Sequence, residues 1–465
     1  MQCRLLIPSA DLLEANGLPP DSRISLLLSP GMESLEVAPL IGQGHEEASP
    51  SRLRSGQLLL VLSLAAVNFF HGNAFSCIAP FYPKEAHARG IGQGWVGATF
   101  GIFQVTYFLT TFPTGALISR FGEKKVLLCG YVLLGTTFIA FGLLQFVRGA
   151  TAFTALAMLL RLLEAIGASA ASVSVYSIGA REFARHTGKV LGCFTASYVM
   201  GMAVGPVIGA TLYTWGGFVL PFVVLGAVVL VNAAGVVFMV RKARTETEEP
   251  NKEDWDACAR LVQTAPWILV LLGADFSCNM AVVFIDVALE PFLRKFKLST
   301  IVVGILFMIP PLAFSCISYW AGVLADRRGR AVVVSTWATL AAACSLAGLA
   351  AVSLVDVQHF EWAMILTVAF LIIHGFSDAN FVAVFPSGFE IATEYGFQNP
   401  ETGFSTLHHA ATSSGGFIGS ILGGILMDYC GIPFAMIVIA TPMFIAEIAL
   451  VYYLIHRRRR ANSRL

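Results

Sequence analysis

Four polar residues interrupt an apolar run near the middle of the chain: Asp275, Asn279, Asp286 and Glu290. On an α-helix, at about 100° per residue, they fall within roughly 60° of one another and form one stripe. Because an ionised carboxylate in a low-dielectric site is costly, it must take up a proton or find a cation. The stripe therefore indicates a site for protons or a cationic ligand. Asp286, near mid-span, is the first candidate, with a salt bridge between helices as its structural alternative, and Asp275 is expected at the membrane interface.

Composition places this stripe in a membrane protein. Of 465 residues, 56% are hydrophobic and 13% are charged, and the mean hydropathy is +0.73, whereas a soluble domain carries about 25% charged residues. The net charge of +1, without a basic stripe interleaved with aromatic residues, argues against a nucleic-acid partner. No catalytic triad, phosphate loop or metal cluster occurs, and the nine cysteines include no CxxC pair. We therefore expect neither an enzyme nor a bound metal or cofactor.

Apolar runs long enough to span a bilayer, roughly 20 residues each, occur about twelve times. Each must be a helix, because an open strand would leave backbone groups unpaired in hydrocarbon. The sequence therefore predicts an all-α membrane protein with about twelve transmembrane helices. The predicted spans lie near 57–82, 91–119, 124–147, 151–179, 187–214, 217–241, 265–294, 300–325, 330–354, 360–389, 402–429 and 431–456.

Basic residues indicate the orientation of the spans. Lys and Arg concentrate in the loops after even-numbered spans and in the tail at 457–465. Since cytosolic loops carry the excess of basic residues, both termini are predicted to face the cytosol. The basic cluster RKFK at 294–297 falls on the other side, and no sequence feature accounts for it.

An internal repeat divides the spans into two halves. After the second span the chain reads GALISRFGEKK from Gly115, and after the eighth it reads GVLADRRGR from Gly322, 207 residues later. An even number of spans between the copies puts them on the same face, as parallel repeats require. Two six-helix bundles are therefore predicted, at 57–241 and 264–456, joined by a charged cytosolic linker at 242–263.

The first 56 residues have the Pro, Ser, Gly and Glu content of a disordered cytosolic tail. Within this segment, 1–56, the hexapeptide EVAPLI includes Glu36, Leu40 and Ile41. It resembles the acidic dileucine signal that clathrin adaptors read on endosomal, lysosomal and synaptic-vesicle proteins. Adaptors are therefore candidate partners, and a tail that nothing reads is the alternative.

Both copies of the repeat resemble the loop signature of the major facilitator superfamily, G-x-x-x-D-R-x-G-R. The second copy matches it at Gly322, Asp326, Arg327, Gly329 and Arg330, and the first keeps Gly115, Arg120 and Gly122 with Ser119 in the acidic place. The resemblance implies the major facilitator fold. It also implies two loops that latch the cytosolic side when the carrier faces outward, with a weaker latch in the first half.

The fifth predicted span contains a second superfamily signature. In GMAVGPVIGA, the residues Gly201, Gly205, Pro206 and Gly209 resemble the antiporter motif. Small residues spaced at four allow close helix contact, and Pro206 removes a backbone donor and bends the helix. Packing alone is the alternative reading of the glycines.

Longer stretches carry a narrower likeness. AAVNFFHGNAFSCIAPFYPKEA, FIDVALEPFLRKFKL and FPSGFEIATEYGFQNPETGFSTL are similar to the vesicular amine transporters, and most of all to their polyamine branch. The resemblance implies proton-driven exchange by alternating access. In that exchange a small organic cation, a polyamine or a related amine, moves into an acidic vesicle.

The resemblance also implies roles for the membrane acids. Asp286 aligns with a seventh-span carboxylate of the vesicular monoamine carriers, and Asp378 aligns with a second, essential aspartate in the tenth span. Asp378 follows His374 by four residues, so the two share a helix face and could pair. Glu290 could guard the entrance or simply be wet. Asn279 could donate to the substrate or hold a neighbouring carboxylate.

Arg161 and Glu164 in the fourth span lie three residues apart, so they can neutralise each other and are predicted to be buried. The resemblance implies that Arg161 is coupled to proton movement, with Glu164 as its moving partner or a static counter-ion. His71 and His409 stand where the monoamine carriers have aspartates, and Phe103 stands in place of a lysine. A histidine could bind or relay protons, and hydrogen-bonded packing is its alternative.

Three functions fit these features. The first is a proton/organic-cation antiporter of vesicle or endolysosomal membranes, whose partners are a small organic cation, protons and the lipid bilayer. The second is a plasma-membrane carrier of the same fold for another small solute, and the third is a non-transporting sensor. Loss of vesicle location on Leu40→Ala would favour the first, and the third should bind a ligand without proton-dependent accumulation.

Overall fold

The computed structural model describes residues 55–183, 187–239, 260–327, 330–355, 357–397 and 401–462. Most of the predicted tail and linker lies outside the described residues. The hexapeptide with Glu36, Leu40 and Ile41 and the loop residue Gly329 also lie outside them. The described part is helical throughout and contains no strand.

Two sets of helices follow one another along the chain, as the repeat predicts. The first half contains α1 (Ser55–Ser76), α2 (Tyr82–Ala88), α3 (Gln93–Phe121), α4 (Glu123–Gly142), α5 (Ala150–Glu182), α6 (Thr187–Gly216) and α7 (Val219–Met239). The second half contains α8 (Trp267–Arg294), α9 (Thr300–Ala325), α10 (Ala331–Ser353), α11 (Phe360–Ser377), α12 (Ala379–Glu394), α13 (Glu401–Cys430) and α14 (Ile432–Asn462).

Eleven described helical segments are long and apolar enough to cross a membrane, with α11 and α12 counted as one. The remaining predicted span is α3, which has 29 residues but is less apolar. It packs between α13 and α5, so much of its surface contacts protein rather than lipid. The prediction of an all-α protein with about twelve membrane helices is therefore confirmed.

The predicted tenth span is broken rather than continuous. Asp378 lies between α11 and α12, where its own N–H donates to the carbonyl of Gly375 at 3.2 Å. This bond joins residues three apart instead of four, which interrupts the α-helical pattern. A Cβ at Gly375 would overlap the carbonyl oxygen of Pro310, so close packing against α9 accompanies the break.

Contacts between the two halves run along two pairs of helices. The first pair is α3 with α13, and the second is α6 with α9. We call the side of the bundle where α1 begins and α14 ends the termini side, and the other side the opposite side. At the opposite side, the Asp428 carboxylate of α13 accepts hydrogen bonds from the backbone N–H groups of Gln93 and Gly94, each at 2.8 Å. These N–H groups belong to the first turn of α3, so a carboxylate of the second half caps a helix of the first.

Two glycine stripes allow α13 to approach both neighbours. Gly415, Gly419 and Gly423 face Phe276, Met280 and Phe284 of α8, and Ser420 and Gly424 face Gly97 and Gln93 of α3. At each glycine an added Cβ would overlap atoms of the facing helix. The close spacing explains why small residues recur at intervals of four on this helix.

The glycines of the antiporter motif pack within the first half. A Cβ added at Gly201 or Gly205 would overlap atoms of α1, and one added at Gly209 would overlap Cys77, the residue after α1. Pro206 differs, because its carbonyl lies against Gly304 of α9 in the second half. The glycines of the motif therefore pack against the first half, and Pro206 packs against the second half.

Gly201→Val is expected to lower the thermal unfolding midpoint of the purified protein. The added side chain would push α6 away from α1 at the carbonyl of Phe69, and overpacking of this kind costs about 1–3 kcal/mol. Gly192→Val is the matched control, because a Cβ at that position on the same helix meets nothing within 4 Å. Equal midpoints for the two variants in detergent would contradict this packing role.

The basic cluster at 294–297 has partners in the structure. Arg294 pairs with Glu290 one turn earlier, at 2.6 Å. The Lys295 ammonium donates to the carbonyls of Val352, Ser353 and Val355, at 2.9–3.3 Å. Those carbonyls lie at the C-terminal end of α10, where the helix dipole favours a cation. Two of the basic residues that depart from the orientation pattern are thus bound by protein groups.

At the termini side, charged pairs tie helices within each half. Glu123 at the start of α4 pairs with Arg181 of α5 at 2.5 Å, while Ser119 donates to the carbonyl of Gly115 at 3.2 Å. In the second half, Arg457 of α14 pairs with Glu390 and Glu394 of α12, at 2.5 and 2.7 Å.

The predicted loop residues lie at these helix ends. Gly122 has a φ of +84° between α3 and α4, a conformation that favours glycine. Arg120 lies over the ring of Phe121 at 5.3 Å. The N–H of Asp326 donates to the carbonyl of Gly322 at 2.9 Å, and that of Arg330 to the carbonyl of Arg327 at 3.0 Å. The latch role of these residues stays a prediction.

Candidate functional site

Asp286 faces the first half of the molecule from α8. Its Oδ2 atom is buried and has no hydrogen-bond partner among the described residues. The carboxylate is close enough to interact electrostatically with Arg161 of α5 and Tyr198 of α6. It also interacts with Asp378. Asp286 therefore lies near a buried arginine of the first half and near a second acid of its own half.

Arg161 is fully buried and pairs with Glu164, as the spacing predicts. Nη1 lies 3.0 Å from both carboxylate oxygens, and the side-chain exposures are 0% and 1%. The guanidinium carbon lies 4.5 Å from the ring centre of Phe103. Nε and Nη2 have no hydrogen-bond partner in the described part of the chain. Arg161 is thus neutralised by Glu164 and still has free donors.

His71 lies in an aromatic cluster of the first half. Its ring centre is 5.3 Å from that of Tyr107, 4.9 Å from that of Tyr198 and 6.4 Å from that of Phe103. Its Nδ1 atom is buried without a partner among the described residues. Because Tyr198 also interacts with Asp286, the cluster adjoins the acids.

Asp378 lies at the break between α11 and α12 and does not pair with His374. The Nδ1 atom of His374 instead lies 3.0 Å from the Ser345 hydroxyl of α10. The four-residue spacing predicts that His374 and Asp378 share a helix face. Because α11 ends just before Asp378, that face does not continue to the aspartate. His374 therefore links α11 to α10.

Three other predicted site residues have partners of their own. Glu290 is buried and bound to Arg294, so it is not a wet residue at the surface. The side-chain amide of Asn279 donates to the backbone carbonyl of Thr412 on α13, which is a structural contact between helices. His409 is exposed, with its ring centre 5.2 Å from that of His408.

Asp275, which the sequence predicts at the membrane interface, is buried between helices. Its side chain is 0% exposed, because α12 and α13 cover it. His408 Nδ1 lies 2.7 Å from one carboxylate oxygen, and Asn380 donates to the other at 3.2 Å. Asp275 lies on the same helical stripe as Asn279 and Asp286, and this sequence signal could have indicated that its side chain is buried.

The model of the Major Facilitator Superfamily matches residues 64–399. The chain belongs to the major facilitator superfamily. Within it, the human MFS-type transporter SLC18B1 is 28% identical over 432 residues, which cover 90% of this chain and 92% of the relative. The human synaptic vesicular amine transporter is 26% identical over 243 residues, which cover 50% of this chain and 44% of the relative. The resemblance to the vesicular amine transporter family is thereby confirmed.

Solved structures of superfamily transporters share the fold. A bacterial homolog of the human lysosomal transporter Spinster, in an inward-facing and occupied conformation, has a TM-score of 0.68 at 12% identity, covering 86% of this chain and 97% of that one. The nucleoside transporter NupG has a TM-score of 0.67 at 14% identity, covering 84% and 99%. By the superfamily match over residues 64–399 and the likeness to SLC18B1, the protein is a transporter of the major facilitator superfamily and not an enzyme.

Proposed function

We propose that the protein is a proton/organic-cation antiporter that loads acidic vesicles with a polyamine or a related amine by alternating access. The observation that carries this proposal is the unpartnered Asp286 carboxylate, which lies between the halves near Arg161 and Asp378. An ion-paired Asp286 would have indicated a structural role instead.

A charge count supports a cationic ligand. Arg161 is matched by Glu164, so Asp286 and Asp378 are left without a cation of their own among the described residues. Two carboxylates in a low-dielectric site must be neutralised by protons or by a bound cation. An anionic substrate would add charge of the same sign to this site.

Competition between the two ligands gives exchange. When the site faces an acidic lumen, protons bind Asp286 and Asp378 and displace the amine. When it faces the cytosol, the acids lose those protons and bind the next amine. Coupling follows if the ligands exclude each other and reorientation occurs mainly with the site occupied.

The other predicted site residues support this cycle in the proposal. Arg161 senses the charge of Asp286, with Glu164 as its counter-ion, and His71 beside Tyr198 binds the substrate or relays protons. His374 holds α11, which ends just before Asp378, against α10, and Glu290 pairs with Arg294 within α8, the helix that carries Asp286. With cytosolic termini, the hydrogen bonds at Asp428 join the two halves on the lumenal side.

Vesicle location is part of the same proposal. It is supported by the likeness to the vesicular amine transporters and by the hexapeptide with Glu36, Leu40 and Ile41 as a site for clathrin adaptors. The location of the Leu40→Ala chain in cells tests it.

Transport by the purified protein tests the proposed chemistry. The protein is placed in liposomes with an acidic interior, and uptake of labelled spermidine, spermine, monoamines, acetylcholine and organic anions is compared. We expect uptake of a cationic amine that an uncoupler abolishes, because the proton gradient drives it. Liposomes without protein are the control. Uptake of anions alone would refute the substrate class, and ligand binding without accumulation would favour a sensor.

A further inference from the structure

A second buried acid lies apart from Asp286 and has no place in the cycle described above. Asp275 occupies α8 about three turns before Asp286, and its carboxylate is 0% exposed. One oxygen lies 2.7 Å from His408 Nδ1 of α13, and the other accepts a hydrogen bond from the Asn380 amide of α12 at 3.2 Å. Three helices of the second half therefore meet at this carboxylate.

The pair of Asp275 and His408 is neutral overall only when it holds one proton between its members. That proton gives either a carboxylic acid beside a neutral imidazole or a carboxylate beside an imidazolium. Without it, a carboxylate charge would remain in a buried site, held only by hydrogen bonds from two neutral groups, the Asn380 amide and the His408 imidazole. The two groups bind this proton as a unit.

Several polar and titratable groups surround the Asp275–His408 pair. The thiol of Cys278 on α8 interacts electrostatically with Asp275, with Asp378 at the helix break and with Glu447 of α14. His409 lies beside His408, and Asn380 follows Asp378 by two residues. Because the Asn380 amide donates to Asp275, the first turn of α12 connects the helix break at Asp378 to the pair, and a cation bound at Asp378 would favour a negative charge at Asp275.

We propose that the Asp275–His408 pair is a second proton-binding site of this protein, which releases its proton when an organic cation binds between Asp286 and Asp378. This inference rests on the proposed function. The proton leaves through His408, whose ring centre lies 5.2 Å from that of His409. When the cation departs, a proton returns to the pair by the same route. By linkage, proton loss at the pair strengthens cation binding to the same degree.

The number of protons exchanged per substrate tests this inference. Steady-state accumulation of labelled spermidine is measured in liposomes over a series of pH gradients, with the membrane potential held at zero. Each coupled proton changes the accumulation ratio about tenfold per pH unit. We expect Asp275→Asn to lower the dependence by one proton, so that accumulation falls about tenfold at a gradient of about one unit.

We also expect His408→Gln to lower the dependence by one proton, because Asp275 without the histidine would stay protonated in its buried site. It provides the measurement if Asp275→Asn lowers the yield of folded protein. Asn380→Ala is the matched control, since it removes the other hydrogen bond to the same carboxylate without removing a titratable group. Its proton dependence should equal that of the wild type.

The outcomes separate this inference from the proposed function. A wild-type proton dependence in Asp275→Asn or in His408→Gln would overturn the second site and leave antiport intact. An equal fall in proton dependence in Asn380→Ala would also overturn the second site, because a change in packing would then explain the effect. Wild-type liposomes that show no gradient-driven spermidine uptake would instead refute the proposed function.

Discussion

Asp286→Asn is expected to reduce proton-driven uptake of the amine about 100-fold, because an amide can neither exchange a proton nor neutralise an ammonium group. Loss of one partner of a buried charge pair costs about 3 kcal/mol, which corresponds to about two orders of magnitude in rate or affinity. The measurement is initial uptake in acidic liposomes at several substrate concentrations.

The same substitution should leave the folded protein intact. Asp286 has no hydrogen-bond partner for Oδ2 among the described residues, so the amide breaks no bond there, and the thermal unfolding midpoint should stay level or rise. Glu361→Gln, an exposed acid at the start of α11, is the control for removing a negative charge. Full uptake by Asp286→Asn would refute its assignment, and a large fall in the midpoint would indicate a structural role.

Glu164→Gln is expected to give the largest loss of stability. It leaves the fully buried Arg161 guanidinium without its ion-pair partner, and uncompensated buried charge costs about 3–5 kcal/mol. We expect the thermal unfolding midpoint in detergent to fall by roughly 5 °C or more. Glu182→Gln, at the exposed end of the same helix, is the matched control and should change little, because its pair with Arg181 is near the surface.

A double variant distinguishes pairing from other roles of Glu164. Arg161→Met with Glu164→Gln removes both charges, so most of the lost stability should return. If the double variant is as unstable as Glu164→Gln alone, the glutamate supports the fold by some contact other than the ion pair. Transport is not the readout here, because Arg161 belongs to the proposed cycle.

Local patterns in the sequence predicted much of the fold. Long apolar runs give helices because the backbone in lipid has no other partner, and the three-residue spacing of Arg161 and Glu164 gives their pair. The glycines of the antiporter motif predicted close helix contact, which the overlaps of Gly201 and Gly205 with α1 confirm. These features depend on periodicity along one helix.

Features that depend on distant parts of the chain were missed. The partner of Asp275 lies 133 residues away on α13, and no periodicity on α8 identifies it. The break at Asp378 accompanies the packing of Gly375 on Pro310, so a pattern read along α11 alone extends through it. The pairing of His374 with Ser345 follows from that tertiary arrangement as well.

The two basic residues that end α8 acquire their partners at different times during synthesis. Arg294 finds Glu290 within its own helix, so that pair can form as soon as the segment is helical. Lys295 must wait for carbonyls that lie 57–60 residues further along the chain. Until those residues are synthesised, α8 ends in a lysine whose carbonyl partners at the end of α10 do not yet exist. The contacts that hold the end of α8 are therefore complete only after α10 has emerged from the ribosome.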